Sequence, residues 1–221
     1  MGHDIIEENL DLGASRIAHM DAAGVDVQVL SFGSPGPQAF RCRCCDSHGA
    51  RRQRSACTNA TKTYPSASAG SPRLPTRRSR QGRAELERCV TKLGFKGAMI
   101  HSHQQGEFLD SPKYRVMWKK AEALGVPVYL HPALPHPLAV KAYFEGYEEL
   151  ARAPWGFAVD TSCHFLRLVF SGLFDDCPKL KIILGHLGEG IPFAMHRLDT
   201  HARARAERRG LEEGADRLLP K

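Results

Sequence analysis

Three apolar runs in this chain each end in histidine: FKGAMIHSH (95–103), VPVYLH (126–131) and LKIILGH (180–186). Runs of this length, separated by helix-like segments, read as buried parallel strands joined by crossover helices. In such an array every strand opens its C-terminal end onto one face, where α/β folds gather their chemistry. Packing alone gives no reason to deliver three imidazoles there. The pattern points to a metal or acid–base site on an α/β scaffold.

The chain has 221 residues, enough for one sizeable domain with a real core. It holds no run of eighteen apolar residues, so no membrane span is expected. The start, MGHDIIEENLDLG, is acidic and lacks an apolar h-region, which argues against a secretory leader. Its sixth residue is Ile, which fails the myristoylation pattern. The expected location is cytoplasmic. The formal net charge of +7 belongs to one segment: residues 41–83 hold eleven Lys/Arg against the single acid Asp46, leaving the remainder at −3. Cys42, Cys44, Cys45 and Cys57 fall in the same window, while Cys89, Cys163 and Cys177 are scattered as in a reduced enzyme.

Residues 41–80 carry almost no large aliphatic side chains and neither helical nor strand periodicity. Such a stretch buries too little apolar surface to offset its ordering entropy, so disorder is the physical expectation. Three readings compete for it. A basic nucleic-acid tail belongs at a terminus, and with Tyr64 as its one aromatic the stretch lacks stacking surfaces. A zinc site from Cys42, Cys44, Cys45, His48 and Cys57 lacks paired C-x₂₋₄-C spacing. Translation out of frame accounts for an Arg/Ser/Pro/Cys-rich stretch inside a well-patterned enzyme. The expected organisation is therefore an N-terminal part of the main domain (1–40), the basic segment (41–83), the main part (84–205) and a charged tail (206–221).

Elsewhere the patterning is regular. A helix ends over 16–24 at Gly24 and leads into a strand at 25–31. AELERCVTKLGF, from Ala84, is amphipathic with Leu86, Val90 and Leu93 on one face. Further helices are expected at 112–124, at 161–174 and from about Pro192, with a long irregular connection after residue 131.

Two motifs carry the chemistry. In LHPALP, Pro132 ends strand pairing just where the His131 imidazole emerges; the plainer alternative is a core histidine bonded to a loop carbonyl. In GHLGEG, His186 tops a strand and Glu189 sits at a helix entrance, placing imidazole and carboxylate on one rim. Glu189 serves equally well as a cap for helix N–H groups. The His101-x-His103 pair can chelate a metal while the strand persists, but a substrate-facing His103 fits better than a ligand. His164 lies inside an apolar helix, where a satisfied buried histidine is the simpler reading.

DLGASRIAHMDAAGVDVQVLS, ELERCVTKLGFKGAMIHSH, VPVYLHP and FDDCPKLKIILGHLGEGIPFAMHRLD closely resemble the metal-dependent aromatic-acid decarboxylases of the amidohydrolase superfamily, the 5-carboxyvanillate, γ-resorcylate and 2,3-dihydroxybenzoate group. The resemblance spans roughly 10–40 and 84–200, with four motifs in order. It implies an α/β fold, a partial (β/α)₈ TIM-like barrel that lacks several strands, with the third strand expected within 41–80. It implies one divalent metal (Zn²⁺ or Mn²⁺), a small aromatic acid as substrate and a homo-oligomer with shared sites; neither nucleic acid nor membrane is an expected partner.

Carried across residue by residue, His131 matches the metal-binding histidine of L-H-P. His186, in G-H-x-G-E, lies by metal and substrate, so it stands as both catalytic residue and metal neighbour, with Glu189 as its acidic partner. Arg197, in MHRLD, resembles an arginine that reaches substrate across the subunit interface, and His103 a substrate-pocket residue of carboxyvanillate-type members. The family's first-strand metal pair and eighth-strand Asp have no counterpart here, so weak metal binding and little activity are expected of this chain. The reaction implied is non-oxidative decarboxylation of a hydroxylated aromatic acid. The alternatives are a metal-dependent hydrolase of the same superfamily and a non-catalytic basic binding protein.

Overall fold

The computed structural model describes residues 11–31, 58–59, 62–63, 68–70, 79–103 and 106–208. It divides into two compact units, Met1–Met99 and Ile100–Lys221. Among the described residues no helix is long and apolar enough to cross a membrane.

In the first unit, helix α1 (Ala14–Ala23) stops at Gly24, whose backbone is left-handed, as the glycine stop predicts. Strand β1 (Gln28–Leu30) follows and pairs in parallel with β2 (Ser68–Gly70), Gln28 opposite Ser68. That second strand falls in the stretch where composition gave no strand signal and where the resemblance puts the family's third strand. Most of 41–80, with Cys42, Cys44, Cys45, His48 and Cys57, lies outside the described residues. Helix α2 (Ser79–Leu93) starts five residues before Ala84, since Arg80, Gln81 and Arg83 are good helix formers ahead of the apolar stripe. Leu30, Cys89 and Phe95 form this unit's core, with Leu12 and Leu93 packed against them.

A three-stranded sheet has the order β3-β4-β5, built from Ala98–His101, Val128–His131 and Ile182–Leu184. These are the three histidine-ended runs. Strands β4 and β5 run parallel with Leu130 opposite Leu184. The expected helix at 112–124 is a 3₁₀ turn, Pro112–Tyr114, running into α3 (Arg115–Ala123). Met117, Trp118 and Ala121 face the core, and the buried Trp118 indole donates to the Leu109 carbonyl at 2.9 Å.

The connection after β4 is more regular than its sequence suggests. It holds α4 (Pro137–Phe144), started by Pro137 and capped by the His136 ring, then a 3₁₀ turn at Glu148–Ala151. Helix α5 (Gly156–Phe170) starts and ends earlier than the expected 161–174. Gly172, left-handed at φ 75°, separates it from the short α6 (Leu173–Asp176). Asp160, Thr161, His164, Phe165 and Leu168 line its buried face, and α5 packs on β4. Helix α7 (Ile191–Arg208) closes the described chain.

Candidate functional site

Parallel pairing of β4 with β5 puts their C-terminal ends on one edge, with His131 closing β4 and His186 two residues past β5. Tyr129 and His131, two apart, share a face of β4 by strand alternation. Their ring centroids are 6.2 Å apart. A Cβ on Gly185 would come within 2.1 Å of the Tyr129 hydroxyl, so a side chain there would have to displace the ring. Burial and then the charge of Glu189 push the Tyr129 phenol above its usual range. Tyr129 thus stands between His131 on one side and the His186–Glu189 loop on the other.

That loop is unusual backbone. His186, Leu187, Gly188, Glu189 and Gly190 all have positive φ, from 48° to 83°. Left-handed backbone costs a non-glycine residue about 1–2 kcal/mol, and three of the five are not glycine. Two contacts hold the turn. The His186 Nδ1–H donates to Glu189 Oε1 at 2.5 Å, and the Ser162 hydroxyl of α5 donates to the Glu189 carbonyl at 2.8 Å. The Glu189 side chain is 3% exposed and the His186 side chain 56%. A buried carboxylate therefore grips one ring nitrogen while the other end of the imidazole stays open to a ligand. The carboxylate meets this ring, where the capping alternative would have aimed it at a helix N–H.

His131 is half-buried, and its Nδ1–H donates to the Pro132 carbonyl at 2.7 Å. That bond selects the tautomer with its lone pair on Nε2, the donor a divalent metal takes. The His101 ring lies against it, tilted, with ring centroids 4.3 Å apart. Among the described residues no group of three or more His, Cys, Asp or Glu is gathered to hold a metal ion. A catalytic centre usually needs about three protein ligands. His131 fits as one ligand; the rest of a set is not among the described residues.

The other expected residues are placed differently. His103 Nδ1 accepts the Gly106 N–H at 3.0 Å and its ring abuts Phe108 and His136; burial and then the nearby His136 lower its pKa. His164 is buried and accepts the Leu109 N–H at 3.3 Å, the satisfied core histidine, with burial lowering its pKa to about 3. Arg197 is exposed on α7, with no described contact to His131, His186 or Glu189.

Sequence reading missed Asp160, Ser102 and Tyr129. Asp160 is 4% exposed, and burial raises its carboxyl to about 6. An acid on the apolar face of a helix was the available signal. Ser102 is buried with φ 44°, and its N–H donates to the His131 carbonyl at 3.1 Å.

A family model described as amidohydrolase matches residues 3–218. Gamma-resorcylate decarboxylase from Rhizobium radiobacter is 39% identical over 196 residues, and that from Rhodococcus jostii 38% identical over 201 residues. Each alignment covers 86% of this chain and 60% of the relative, so the chain spans about 60% of the length of the curated relatives it matches. Among solved structures, a 2,6-dihydroxybenzoate decarboxylase complexed with 2,6-dihydroxybenzoate superposes with a TM-score of 0.83 at 38% identity, covering 89% of this chain and 62% of that one. A 5-carboxyvanillate decarboxylase from Novosphingobium aromaticivorans with bound manganese gives 0.87 at 34% identity, covering 94% of this chain and 58% of that one.

Proposed function

The chain belongs to the amidohydrolase family, and on that premise we propose that it serves the metal-dependent, non-oxidative decarboxylation of a hydroxylated aromatic acid. The observation that carries this reading is the His186–Glu189 pair, held on a left-handed turn at the strand edge that also bears His131. The similar proteins are decarboxylases of 2,6-dihydroxybenzoate and 5-carboxyvanillate, and one of them holds manganese.

His131 would hold the metal, Mn²⁺ or Zn²⁺, through Nε2. When bound, the metal supplies Lewis acidity toward carboxylate and ortho-hydroxyl oxygens. The chain's own residues do the rest. Glu189 accepts from His186 Nδ1 and so leaves proton traffic to Nε2, the ring's exposed end. A proton delivered to the ring carbon that bears the carboxylate breaks aromaticity, and loss of CO₂ restores it. His186 is the residue here that can hold or move that proton, with Glu189 stabilising the imidazolium. His103, beside Phe108 and His136, lines the substrate side. The exposed Arg197 acts in a neighbouring copy of a homo-oligomer, where its charge balances the acid.

With one ligand among the described residues, weak metal binding and slow turnover are expected of this chain. The reduced state of Cys89, Cys163 and Cys177 fits a cytoplasmic setting. The test supplies Mn²⁺ or Zn²⁺ with 2,6-dihydroxybenzoate, 2,3-dihydroxybenzoate or 5-carboxyvanillate and follows CO₂ and the phenolic product by chromatography. Phenol and CO₂ in equal amounts support decarboxylation. Cleavage of aryl esters or amides with no CO₂ would support the hydrolytic branch of the superfamily instead.

A further inference from the structure

Strand β4 has two unlike faces. Val128 and Leu130 are buried in the core, while Tyr129 and His131 are half-buried on the opposite face. Tyr129 is the next position down from His131 on that face, and parallel pairing sets Ile183 of β5 beside it. The Tyr129 side chain leans along β5, so that its hydroxyl lies against Gly185, one residue before His186. Gly185 is the root of the left-handed turn, since its carbonyl accepts the Gly188 N–H at 2.9 Å. The phenol hydroxyl therefore sits where the strand edge bearing His131 meets the turn bearing His186 and Glu189. The glycine makes its room there. A Cβ at position 185 would fall 2.1 Å from the hydroxyl oxygen, 3.1 Å from Cζ and 3.8 Å from Cε1, so it is chiefly the hydroxyl that the missing side chain accommodates. Packing of a ring beside Ile183 asks only for phenylalanine. Among the described residues nothing hydrogen-bonds to that hydroxyl.

We propose that Tyr129 is a substrate-contacting residue of this site, its hydroxyl donating a hydrogen bond to the carboxylate of the aromatic acid. A phenol is a donor throughout the range in which an aromatic acid is ionised, and O–H to carboxylate is among the stronger hydrogen bonds. The strand face supplies the rest of the contact: Ile183, 45% exposed beside Tyr129, offers apolar surface to a flat ring. A neutral donor also suits the reaction. The carboxylate loses its charge as CO₂ leaves, so a contact that is much stronger in the ground state than in the transition state slows that step. A phenol orients the group with a smaller penalty of this kind than a further cation would bring. The identity of the ligand rests on the decarboxylase reading, whereas the place of the hydroxyl does not.

The experiment measures binding at one pH, in the full chain with excess Mn²⁺, by calorimetric titration. Two ligands are compared: 2,6-dihydroxybenzoate, and resorcinol, the same ring without the carboxylate. Tyr129→Phe should weaken 2,6-dihydroxybenzoate about tenfold, the lower end for a hydrogen bond to a charged acceptor, and change resorcinol by less than about twofold. Gly185→Ala, which pushes the hydroxyl out of place, should show the same selective loss, with circular dichroism confirming the fold of both variants. Unchanged binding of the acid in Tyr129→Phe overturns the proposal. Equal weakening of both ligands also overturns it, since that would mark Tyr129 as a packing residue. If Tyr129→Phe does not fold, Gly185→Ala decides by the same two ligands. Wild type that binds neither ligand overturns this proposal together with the decarboxylase reading. Wild type that binds and decarboxylates the acid, while Tyr129→Phe binds it equally well, overturns this proposal alone.

Discussion

Replacing Leu187 with glycine is expected to stabilise the protein, although the change deletes a large apolar side chain. Leu187 sits at φ 56°, ψ 33° and is 97% exposed. Its side chain buries almost no area, so its removal costs next to nothing in hydrophobic burial. Its backbone pays about 1–2 kcal/mol for the left-handed conformation, which glycine adopts freely. Glycine's greater freedom in the unfolded chain takes back about 0.5–1 kcal/mol. The net expectation is a gain of roughly 0.5–1 kcal/mol. Leu187→Ala keeps the Cβ and should stay within about 0.5 kcal/mol of wild type. Urea unfolding followed by tryptophan fluorescence measures this directly. Both tryptophans, Trp118 and Trp155, lie in the unit that carries the turn. A glycine variant no more stable than the alanine variant would refute the view that this loop is strained.

Three further expectations follow from the same contacts. His164 is held neutral near a pKa of about 3 against about 6.5 unfolded, so below pH 6.5 the unfolded chain binds more protons and stability falls as pH drops. Its share of the loss from pH 7 to pH 5 is roughly 2 kcal/mol, and acid titration of His164→Gln by urea melts should show a flatter slope. Gly185→Ala drives a methyl into the Tyr129 hydroxyl and should cost about 1–3 kcal/mol, with about 1 kcal/mol recovered in the double variant with Tyr129→Phe, measured by a thermal double-mutant cycle. Arg197→Ala should leave thermal stability unchanged, since the side chain is exposed. If it serves a neighbouring copy, mixing Arg197→Ala with His186→Ala protein should restore turnover that neither shows alone.

Much of the scaffold was legible in the sequence because its signals are local. Three short apolar runs bounded by glycine or histidine became β3, β4 and β5, and Gly24 ends its helix as expected. The helix in the connection after β4 was missed because its signal is a Pro at its first position and a His cap, without an amphipathic stripe. Strand β2 was missed because Ser-Ala-Gly has no strand propensity, and its pairing with β1 is a long-range event that local periodicity cannot report. The site divides in the same way. His131, His186 and Glu189 could be singled out as candidates because they sit beside Pro132, Gly185 and Gly190, the punctuation of strand ends. Asp160 lies twenty-nine residues from His131, and only the packing of α5 on β4 brings its helix to that strand. The left-handed backbone at Leu187 and Glu189 was also invisible, since neither residue type favours positive φ.

The most direct test of the central claim is metal-dependent CO₂ release from 2,6-dihydroxybenzoate or 5-carboxyvanillate. It would be measured for the purified chain beside His131→Ala and His186→Ala, with circular dichroism confirming that each variant is folded. Slow release that requires added Mn²⁺ or Zn²⁺ and disappears in both variants is the result predicted. Release that proceeds without metal, or persists at the wild-type rate when either histidine is gone, would contradict it.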